Sequence, residues 1–156
     1  GLRDLSNQDY LSNFFGPIIE HKNREQIKTP LIMKLSPDMH EAELETVLET
    51  SLKMGVDGWI LTNTTASRPT GLPFPKEGGL SGEPLKSKSL DNLNACLKFI
   101  GPRKENRLVI SVGGMSDAAA VKARLQIGAD LVQLYSALIF EGPWLFRKML
   151  NDLRST

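Results

Sequence analysis

Two short apolar strands in the second half of the sequence end in residues that can hold an anion. Residues 109–112 run into Gly113-Gly114, and residues 131–134 run into Tyr135-Ser136. Main-chain N–H groups at a strand end that faces a helix start form an anion site. Two such turns in successive βα units are typical of the phosphate site of (β/α)₈ barrels. Ordinary tight turns, in which glycine supplies a positive φ, are the alternative that the spacing leaves open.

A lysine stands inside another apolar strand. Residues 31–35 read Leu-Ile-Met-Lys-Leu, and burying an unpaired ammonium group is costly. Near the carboxyl end of a barrel strand, Lys34 would point toward the site and would need an anion or a ligand acceptor there. The alternative is a lysine on an edge strand or an outer face that reaches water.

A further strand, residues 59–61, ends in four small polar residues, Thr62-Asn63-Thr64-Thr65. They form either a satisfied turn or a set of amide and hydroxyl groups that can bind a planar polar ligand. The loop 66–86 that follows is long enough to be functional or to be a flexible lid. Within it, residues 78–82 (Gly-Gly-Leu-Ser-Gly) can bring the main chain close to a bound molecule.

Helices are predicted between the strands from the spacing of apolar residues. They cover residues 5–27, with a split or a kink at Gly16-Pro17, then 41–54, 89–100, a segment from Ser116-Asp117 to Gly128, and a last helix after Gly142-Pro143. The buried stripes expected on the last two helices are Ala120, Val121, Leu125 and Ile127, and then Leu145, Phe146, Met149, Leu150 and Leu153.

The repeated order is strand, polar turn, helix, about four times over. Nearly continuous apolar strands suit a parallel sheet that helices cover. Four βα units form half of a (β/α)₈ barrel or, alternatively, a small doubly wound sheet. The opening Gly1-Leu2-Arg3-Asp4 is not a natural chain start, which favours the half-barrel.

Composition excludes several classes of function. The net charge is +1, with basic and acidic residues interleaved, so a nucleic-acid-binding surface is not expected. The longest apolar runs are too short to span a membrane. The single cysteine, Cys96, allows no internal disulfide, and its apolar neighbours at helical spacing predict a buried, inert thiol.

Six sequence blocks follow one another in an order that carries a family resemblance. They are residues 1–5 (Gly-Leu-Arg-Asp-Leu), 33–38 (Met-Lys-Leu-Ser-Pro-Asp), 62–65 with Ser67-Arg68, 78–82 with Pro84-Leu85, 112–114 (Val-Gly-Gly) and 133–136 (Gln-Leu-Tyr-Ser). Together they resemble the C-terminal half of a class 2 (quinone-dependent) dihydroorotate dehydrogenase over the whole chain. Residues 1–156 would then be the C-terminal part of a single FMN-binding (β/α)₈ TIM barrel domain, about four βα units, with the N-terminal half missing.

The resemblance implies the oxidation of dihydroorotate to orotate in pyrimidine synthesis, with FMN as cofactor and a quinone as electron acceptor. It also implies a peripheral membrane protein, of the bacterial cytoplasmic membrane or the mitochondrial inner membrane, through segments outside this chain. A positive charge beside the flavin ring would stabilise the reduced flavin. The implied cofactor-binding residues are Lys34 beside that ring, Thr62, Gly82, Gly114, Tyr135 and Ser136, and the implied substrate-binding residues are Asn63 and Thr64.

The catalytic base of the family lies outside this sequence. It is a serine in an Asn-x-Ser-Ser-Pro-Asn-Thr-Pro segment immediately before Gly-Leu-Arg, so no catalytic residue is expected in residues 1–156. Ser81, Ser111 and Ser136 have no neighbouring activator that the sequence identifies. Ser111 stands where glycine is common in relatives, and we expect the phosphate turn to tolerate the change.

Two other functions are weighed against this one. A self-contained α/β module could bind a phosphorylated ligand or nucleotide without redox activity, and the missing catalytic segment favours it. A different FMN- or phosphate-binding barrel is disfavoured by the Thr-Asn-Thr-Thr and Gly-Leu-Ser-Gly blocks together.

Overall fold

The computed structural model describes residues 8–71, 73–75 and 77–155. The elements in chain order are α1 (Gln8–Arg24), β1 (Ile32–Leu35), α2 (Glu41–Met54), β2 (Gly58–Leu61), α3 (Lys86–Ile100), β3 (Leu108–Val112), α4 (Ala118–Ile127), β4 (Leu131–Gln133), α5 (Ser136–Glu141) and α6 (Trp144–Arg154), with short 3₁₀ turns at Glu83–Leu85 and Gly101–Lys104. Residues 5–7, which begin the predicted first helix, and the sequence block 1–5 lie outside the described residues.

The four strands form one parallel sheet in the order β1-β2-β3-β4. Each strand pairs with the next one along the chain, as consecutive strands of a (β/α)₈ barrel do. A doubly wound sheet reverses its strand order at a switch point. The observed order therefore excludes the doubly wound alternative and confirms the four βα units.

One face of the sheet carries the helices. Met33, Leu35, Trp59, Leu61 and Val109 are buried in a single apolar cluster with residues of α1, α2 and α3. Successive residues of a strand point to opposite faces of the sheet. The strand residues that alternate with these buried ones therefore form a row on the face away from the cluster. The pairing register places Lys34, Ile60, Ile110 and Leu131 in that row.

Helix ends follow the local chemistry of the sequence, with one exception. Glu43 accepts a hydrogen bond from the His40 N–H at 2.9 Å and thereby closes the start of α2, and Gly55 ends that helix in the left-handed region. Asp117 caps α4 by accepting from the Ala120 N–H at 2.7 Å. Of the split or kink predicted at Gly16-Pro17, the split is wrong, because α1 continues through Pro17, and the kink stays a prediction.

The last helix buries a narrower stripe than its sequence predicts. Leu145 and Met149 are buried in a second apolar cluster together with Met115 and Val121, and Leu153 packs against it. Phe146 and Leu150 are 45% and 54% exposed, so their predicted burial is wrong in this structure.

Apolar surface is concentrated at the β4 end of the sheet. β4 is an edge strand, and the exposed side chains there are Leu131, Tyr135, Ile139, Phe140 and Trp144. Trp59, by contrast, is fully buried, and its Nε1–H donates to Ser51 Oγ at 2.8 Å. Within the described ranges, no helix combines the length and the hydropathy that crossing a bilayer requires.

Candidate functional site

The predicted site residues lie along the carboxyl-terminal edge of the sheet. Lys34 is the third residue of β1, and Thr62-Asn63-Thr64 directly follows β2. Gly114 lies two residues after β3. Tyr135 lies between β4 and α5, and Ser136 is the first residue of α5. In a parallel sheet the carboxyl ends of all strands meet at one edge, so residues far apart in sequence share this edge.

A pocket of about 280 Å³ lies between the turns that follow β3 and β4. Its lining combines the two turns with the end of the 66–82 loop and residues of α5. It is lined by Gly82, Glu83, residues 112–116 and 133–137, Phe140 and Glu141. The pocket thus brings together four predicted cofactor-binding residues: Gly82, Gly114, Tyr135 and Ser136. Lys34, Thr62, Asn63 and Thr64 are not part of its lining and lie toward β1 and β2.

The walls of the pocket offer main-chain donors. Within residues 8–71, 73–75 and 77–155, the N–H groups of Gly114, Met115 and Ser136 have no hydrogen-bond acceptor. Unpaired N–H groups at strand ends suit an anion such as a phosphate. Two carboxylates also line the pocket, and that of Glu83 pairs with the Lys86 ammonium at 3.1 Å.

The two glycines of the β3 turn are required by close packing against the start of α3. A Cβ on Gly113 would lie 3.0 Å from the side chains of Leu85 and Ser89. Gly114 has φ +70°, and a Cβ there would overlap the main chain of Lys86. A side chain at Gly114 would therefore push the start of α3 away from the turn, whereas one at Gly113 would require Leu85 or Ser89 to shift slightly. Both the positive φ and this contact are requirements of the fold and do not depend on a ligand.

Behind the same turn lies a buried arginine that the sequence reading missed. Arg124 is 2% exposed, whereas Leu125 and Ile127, which were predicted to be buried, are 40% and 39% exposed. The predicted stripe of α4 is therefore wrong at these two positions. The available signal was the spacing of Arg124 from the buried Val121, since residues three apart share a helix face.

Arg124 donates four hydrogen bonds to one cluster. Nη1 lies 3.3 Å from Ser111 Oγ, and Nη2 lies 2.9 Å from the Lys86 carbonyl, 2.8 Å from Ser89 Oγ and 3.3 Å from the Gly113 carbonyl. Ser111 is fully buried, so its hydroxyl is tolerated because the guanidinium satisfies it. Burial lowers the pKa of Arg124, and the charge of Asp91 acts in the opposite direction.

Lys34 lies on the face of the sheet away from the buried cluster and is exposed. Within the described part of the chain, its ammonium has no carboxylate or other hydrogen-bond partner. The lysine is therefore neither buried in the core nor held by a structural ion pair. Its role beside a flavin stays a prediction.

The polar residues after β2 are held in place by the neighbouring strands. The Thr62 N–H donates to the Val112 carbonyl at 3.0 Å, and the Asn63 N–H donates to the Leu35 carbonyl at 2.7 Å. The Leu61–Thr62 peptide bond is cis. Thr62 is buried, whereas Asn63 and Thr64 are exposed. The Asn63 side-chain oxygen accepts from the Thr64 N–H at 3.0 Å, which leaves the NH₂ group of Asn63 for a ligand.

An ionic cluster supports the start of the loop after β2. Asp38 accepts hydrogen bonds from the Lys88 ammonium, the Thr65 hydroxyl and the Ala66 N–H. Burial by itself raises the pKa of Asp38, but these hydrogen bonds and the charge of Lys88 outweigh it and hold the pKa below its usual value. The cluster connects the loop after β1, the loop after β2 and α3.

The loop 66–82 is folded around the guanidinium of Arg68. That group donates to the main-chain carbonyls of Thr65, Ala66, Ser67, Pro75, Glu77 and Gly78 at 2.7–3.2 Å. Thr65 and Leu80 also form an antiparallel bridge. These bonds hold together the described part of the loop, and the flexible lid stays a prediction.

The serines near the site have structural partners. Ser81 Oγ and Ser136 Oγ are 2.9 Å apart, so this contact joins the loop to the start of α5. Gly82 lies next to the same place, where an added Cβ would be 3.5 Å from Ser136 Cβ. Cys96 is fully buried, and burial raises the pKa of its thiol to about 12, as expected for an inert cysteine.

These observations match the chemistry of a phosphate group at the pocket. Its walls provide unpaired N–H donors, and a buried cation lies behind one turn. An FMN phosphate fits this donor set, with Gly82, Gly114, Tyr135 and Ser136 as the residues that would hold it.

Comparison with known proteins identifies relatives over the whole chain. The family model described as dihydroorotate dehydrogenase matches residues 1–156. The proteins named dihydroorotate dehydrogenase (quinone) from Xanthobacter autotrophicus and Natronomonas pharaonis are 41% and 37% identical to this chain. Each alignment covers 98% of this chain but only 44% and 42% of the relative. The chain thus spans less than half the length of the curated relatives that it matches.

Solved structures give the same result for the fold. The dihydroorotate dehydrogenase of Eimeria tenella in complex with ferulenol superimposes with a TM-score of 0.81 at 28% identity, covering 98% of this chain and 45% of that one. The ligand-free form from the same organism gives 0.82 at 29% identity. The predicted fold class is confirmed: the four βα units are part of a (β/α)₈ barrel.

Proposed function

Because this chain belongs to the dihydroorotate dehydrogenase family, we propose that the protein oxidises dihydroorotate to orotate, with FMN as cofactor and a quinone as electron acceptor, in the de novo synthesis of UMP. The observation that carries the proposal is the pocket between the turns after β3 and β4. Four residues that the resemblance assigns to FMN line this pocket, and its unpaired N–H groups suit a phosphate.

The two ends of the carboxyl-terminal edge have different roles in this proposal. Gly82, Gly114, Tyr135 and Ser136 bind the phosphate end of FMN through main-chain groups. Toward β1, Lys34 would place an unpaired positive charge beside the flavin ring and stabilise negative charge there. When bound, FMN supplies the redox chemistry, because it takes up the electrons of dihydroorotate and passes them to the quinone.

The exposed polar residues after β2 would bind the substrate. The pyrimidine of dihydroorotate carries imide and carboxylate groups that need both donors and acceptors. Asn63 has a free NH₂ group because its oxygen already accepts from Thr64, and the Thr64 hydroxyl can donate or accept. Thr62 lies between them and the sheet, and we assign it to the flavin.

The remaining partners follow from the names of the relatives. Relatives named dihydroorotate dehydrogenase (quinone) support a quinone partner. A peripheral association with the membrane, which the resemblance implies, is part of the same proposal. The same relatives also support a further part of the same barrel outside this chain, because the chain covers less than half of them. The proton acceptor for dihydroorotate oxidation is proposed to lie in that further part.

The test is an assay of the full-length protein. We expect it to retain FMN through purification and to reduce a quinone analogue when dihydroorotate is added. Asn63→Ala should raise the KM for dihydroorotate by about tenfold, since a hydrogen bond to a charged or polar substrate group contributes roughly 1.5 kcal/mol.

Asn94→Ala is the matched control, because Asn94 is also exposed but lies on α3 away from the predicted site. Its KM should equal that of the wild type. A full-length protein without FMN, or one that reduces no quinone with dihydroorotate, would refute the proposed function.

A further inference from the structure

We propose that Arg124 is a positioning residue for the phosphate-binding turn. It holds the peptide group between Gly113 and Gly114 so that the Gly114 N–H faces the pocket, and it does so without touching the ligand. The inference rests on the proposed function, because it takes the FMN phosphate as the anion in the pocket.

Two donor groups lie within hydrogen-bond distance of the carbonyl of this peptide group. One of them, the Ser89 hydroxyl, also lies 3.0 Å from the Lys86 carbonyl. The Gly113 carbonyl oxygen lies 3.3 Å from Arg124 Nη2 and 2.9 Å from Ser89 Oγ. Arg124 Nη2 also lies 2.8 Å from that same Ser89 Oγ. The guanidinium therefore fixes the carbonyl directly and also orients the hydroxyl that contacts it.

The direction of the carbonyl determines the direction of the N–H. Among the described peptide bonds, only Leu61–Thr62 is cis, so the peptide between Gly113 and Gly114 is trans and planar. In such a peptide the C=O and N–H bonds point in opposite directions. Because the carbonyl faces Arg124 and Ser89 beneath the turn, the Gly114 N–H faces away from them, toward the pocket that Gly114 lines.

The charge of Arg124 adds to this effect. Within residues 8–71, 73–75 and 77–155, its guanidinium bonds only hydroxyl and carbonyl oxygens, and no carboxylate forms an ion pair with it. A buried cation without an ion pair strengthens the attraction for negative charge nearby, and the charge of Asp91, which raises the pKa of Arg124, offsets part of this effect. A phosphate in the pocket would bring that negative charge to the other side of the turn.

An effect of Arg124 on phosphate binding can be separated from a general effect on the fold by comparing FMN with riboflavin. Riboflavin has the same ring system but no phosphate. The measurement is the dissociation constant of each flavin from the apo form of the full-length protein, by fluorescence titration. Arg124→Met should lower the preference for FMN over riboflavin by about tenfold, the loss expected for a charge-assisted contribution. Riboflavin affinity should stay within about twofold of the wild-type value.

Lys122→Met is the matched control. It removes one positive charge from the same helix, at a side chain with no hydrogen bond or ion pair within the described residues. Its FMN preference should be that of the wild type. If Arg124→Met fails to fold, Ser89→Ala decides the question, because it removes the second donor to the Gly113 carbonyl and leaves the arginine in place. The preference for FMN should then fall in that variant.

Each result has a definite meaning. A reduced FMN preference in Arg124→Met, or in Ser89→Ala where the first variant does not fold, supports the inference. An unchanged preference, or an equal loss of affinity for both flavins, would overturn it and leave the proposed function intact. A wild-type protein that binds neither flavin would overturn both.

Discussion

Replacing Gly114 by alanine tests whether the turn after β3 is shaped by its contact with α3. Gly114 has φ +70°, and an added Cβ would overlap the main chain of Lys86. The left-handed conformation costs a non-glycine residue about 1–2 kcal/mol. Relieving an overlap with main chain, by shifting the turn or the start of α3, costs about a further 1–3 kcal/mol. The expected loss in the free energy of unfolding is therefore about 2–5 kcal/mol.

Gly55→Ala provides a control with the same backbone penalty. Gly55 has φ +77°, and an added Cβ there would have no atom within 4 Å. We expect this variant to lose only the conformational term, about 1–2 kcal/mol. The difference between the two variants thus isolates the contact between the turn and Lys86.

The assay is urea denaturation of the full-length protein, followed by a flavin titration of each variant. Gly114→Ala should lose both stability and FMN affinity, because moving the turn displaces the N–H groups that line the pocket. Gly55→Ala should lose stability only. Equal stability losses in the two variants, or full FMN affinity in Gly114→Ala, would refute the packing argument.

Four further predictions concern other parts of the chain. Lys34→Ala should slow flavin reduction in stopped-flow experiments by about tenfold or more. The urea midpoint should stay unchanged, since Lys34 is exposed and makes no structural ion pair within the described residues. Equal losses in reduction rate and in stability would contradict its assigned role. Asp38→Asn should destabilise the protein at neutral pH: the pKa of Asp38 is lowered on folding, so its carboxylate stabilises the fold above the ordinary carboxyl pKa, and this contribution disappears as the pH falls below that value. Unfolding curves of wild type and variant should therefore converge at acidic pH, and a constant difference would contradict the reasoning. Cys96 should react with a thiol reagent at pH 8 only after denaturation, because it is fully buried and its pKa is about 12; reaction of the native protein would show that the core opens. Residues 8–155 expressed alone should associate in analytical ultracentrifugation, because β1 and β4 have open edges and the β4 end is apolar; a cooperative melt of a monomer would contradict this.

The sequence predicted the strands and the type of sheet well, because each strand is a continuous apolar run between polar turns. The helix α2 has the predicted bounds, since Gly55 ends it and acidic residues begin it. The bounds of α3 were less well predicted, because the helix begins at Lys86, directly after the 3₁₀ turn, rather than at residue 89. The 3₁₀ turn is too short to show a periodic pattern of apolar residues, so the sequence did not reveal where the helix begins.

Burial of polar residues was the main failure. A hydropathy pattern counts arginine as exposed, but Arg124 is buried because two hydroxyls and two carbonyls surround its guanidinium. Those acceptors come from α3 and from β3 and the turn after it, and only the folded chain brings them together. The acceptors of Arg68 could not be predicted for the same reason, because they are spread over residues 65–78 and only the folded loop brings them together.

The candidate site was predictable in its residue types but not in its grouping. The strand ends identified the turns, and the pocket joins Gly82 with Gly114, Tyr135 and Ser136. No sequence pattern indicated that Gly82 lies beside Ser136, because that proximity depends on the path of the long loop. The roles of Lys34, Thr62, Asn63 and Thr64 stay predictions.

The two tryptophans lie in opposite environments, and this makes them separate optical probes. Trp59 is fully buried in the sheet, whereas Trp144 is 71% exposed at the start of α6. In the isolated chain, an aqueous quencher such as iodide should reach only Trp144, and the emission that survives quenching should be the blue-shifted spectrum of Trp59. Fluorescence of Trp144 would therefore report coverage of the β4 end by another polypeptide, while Trp59 would report the integrity of the core in the same sample.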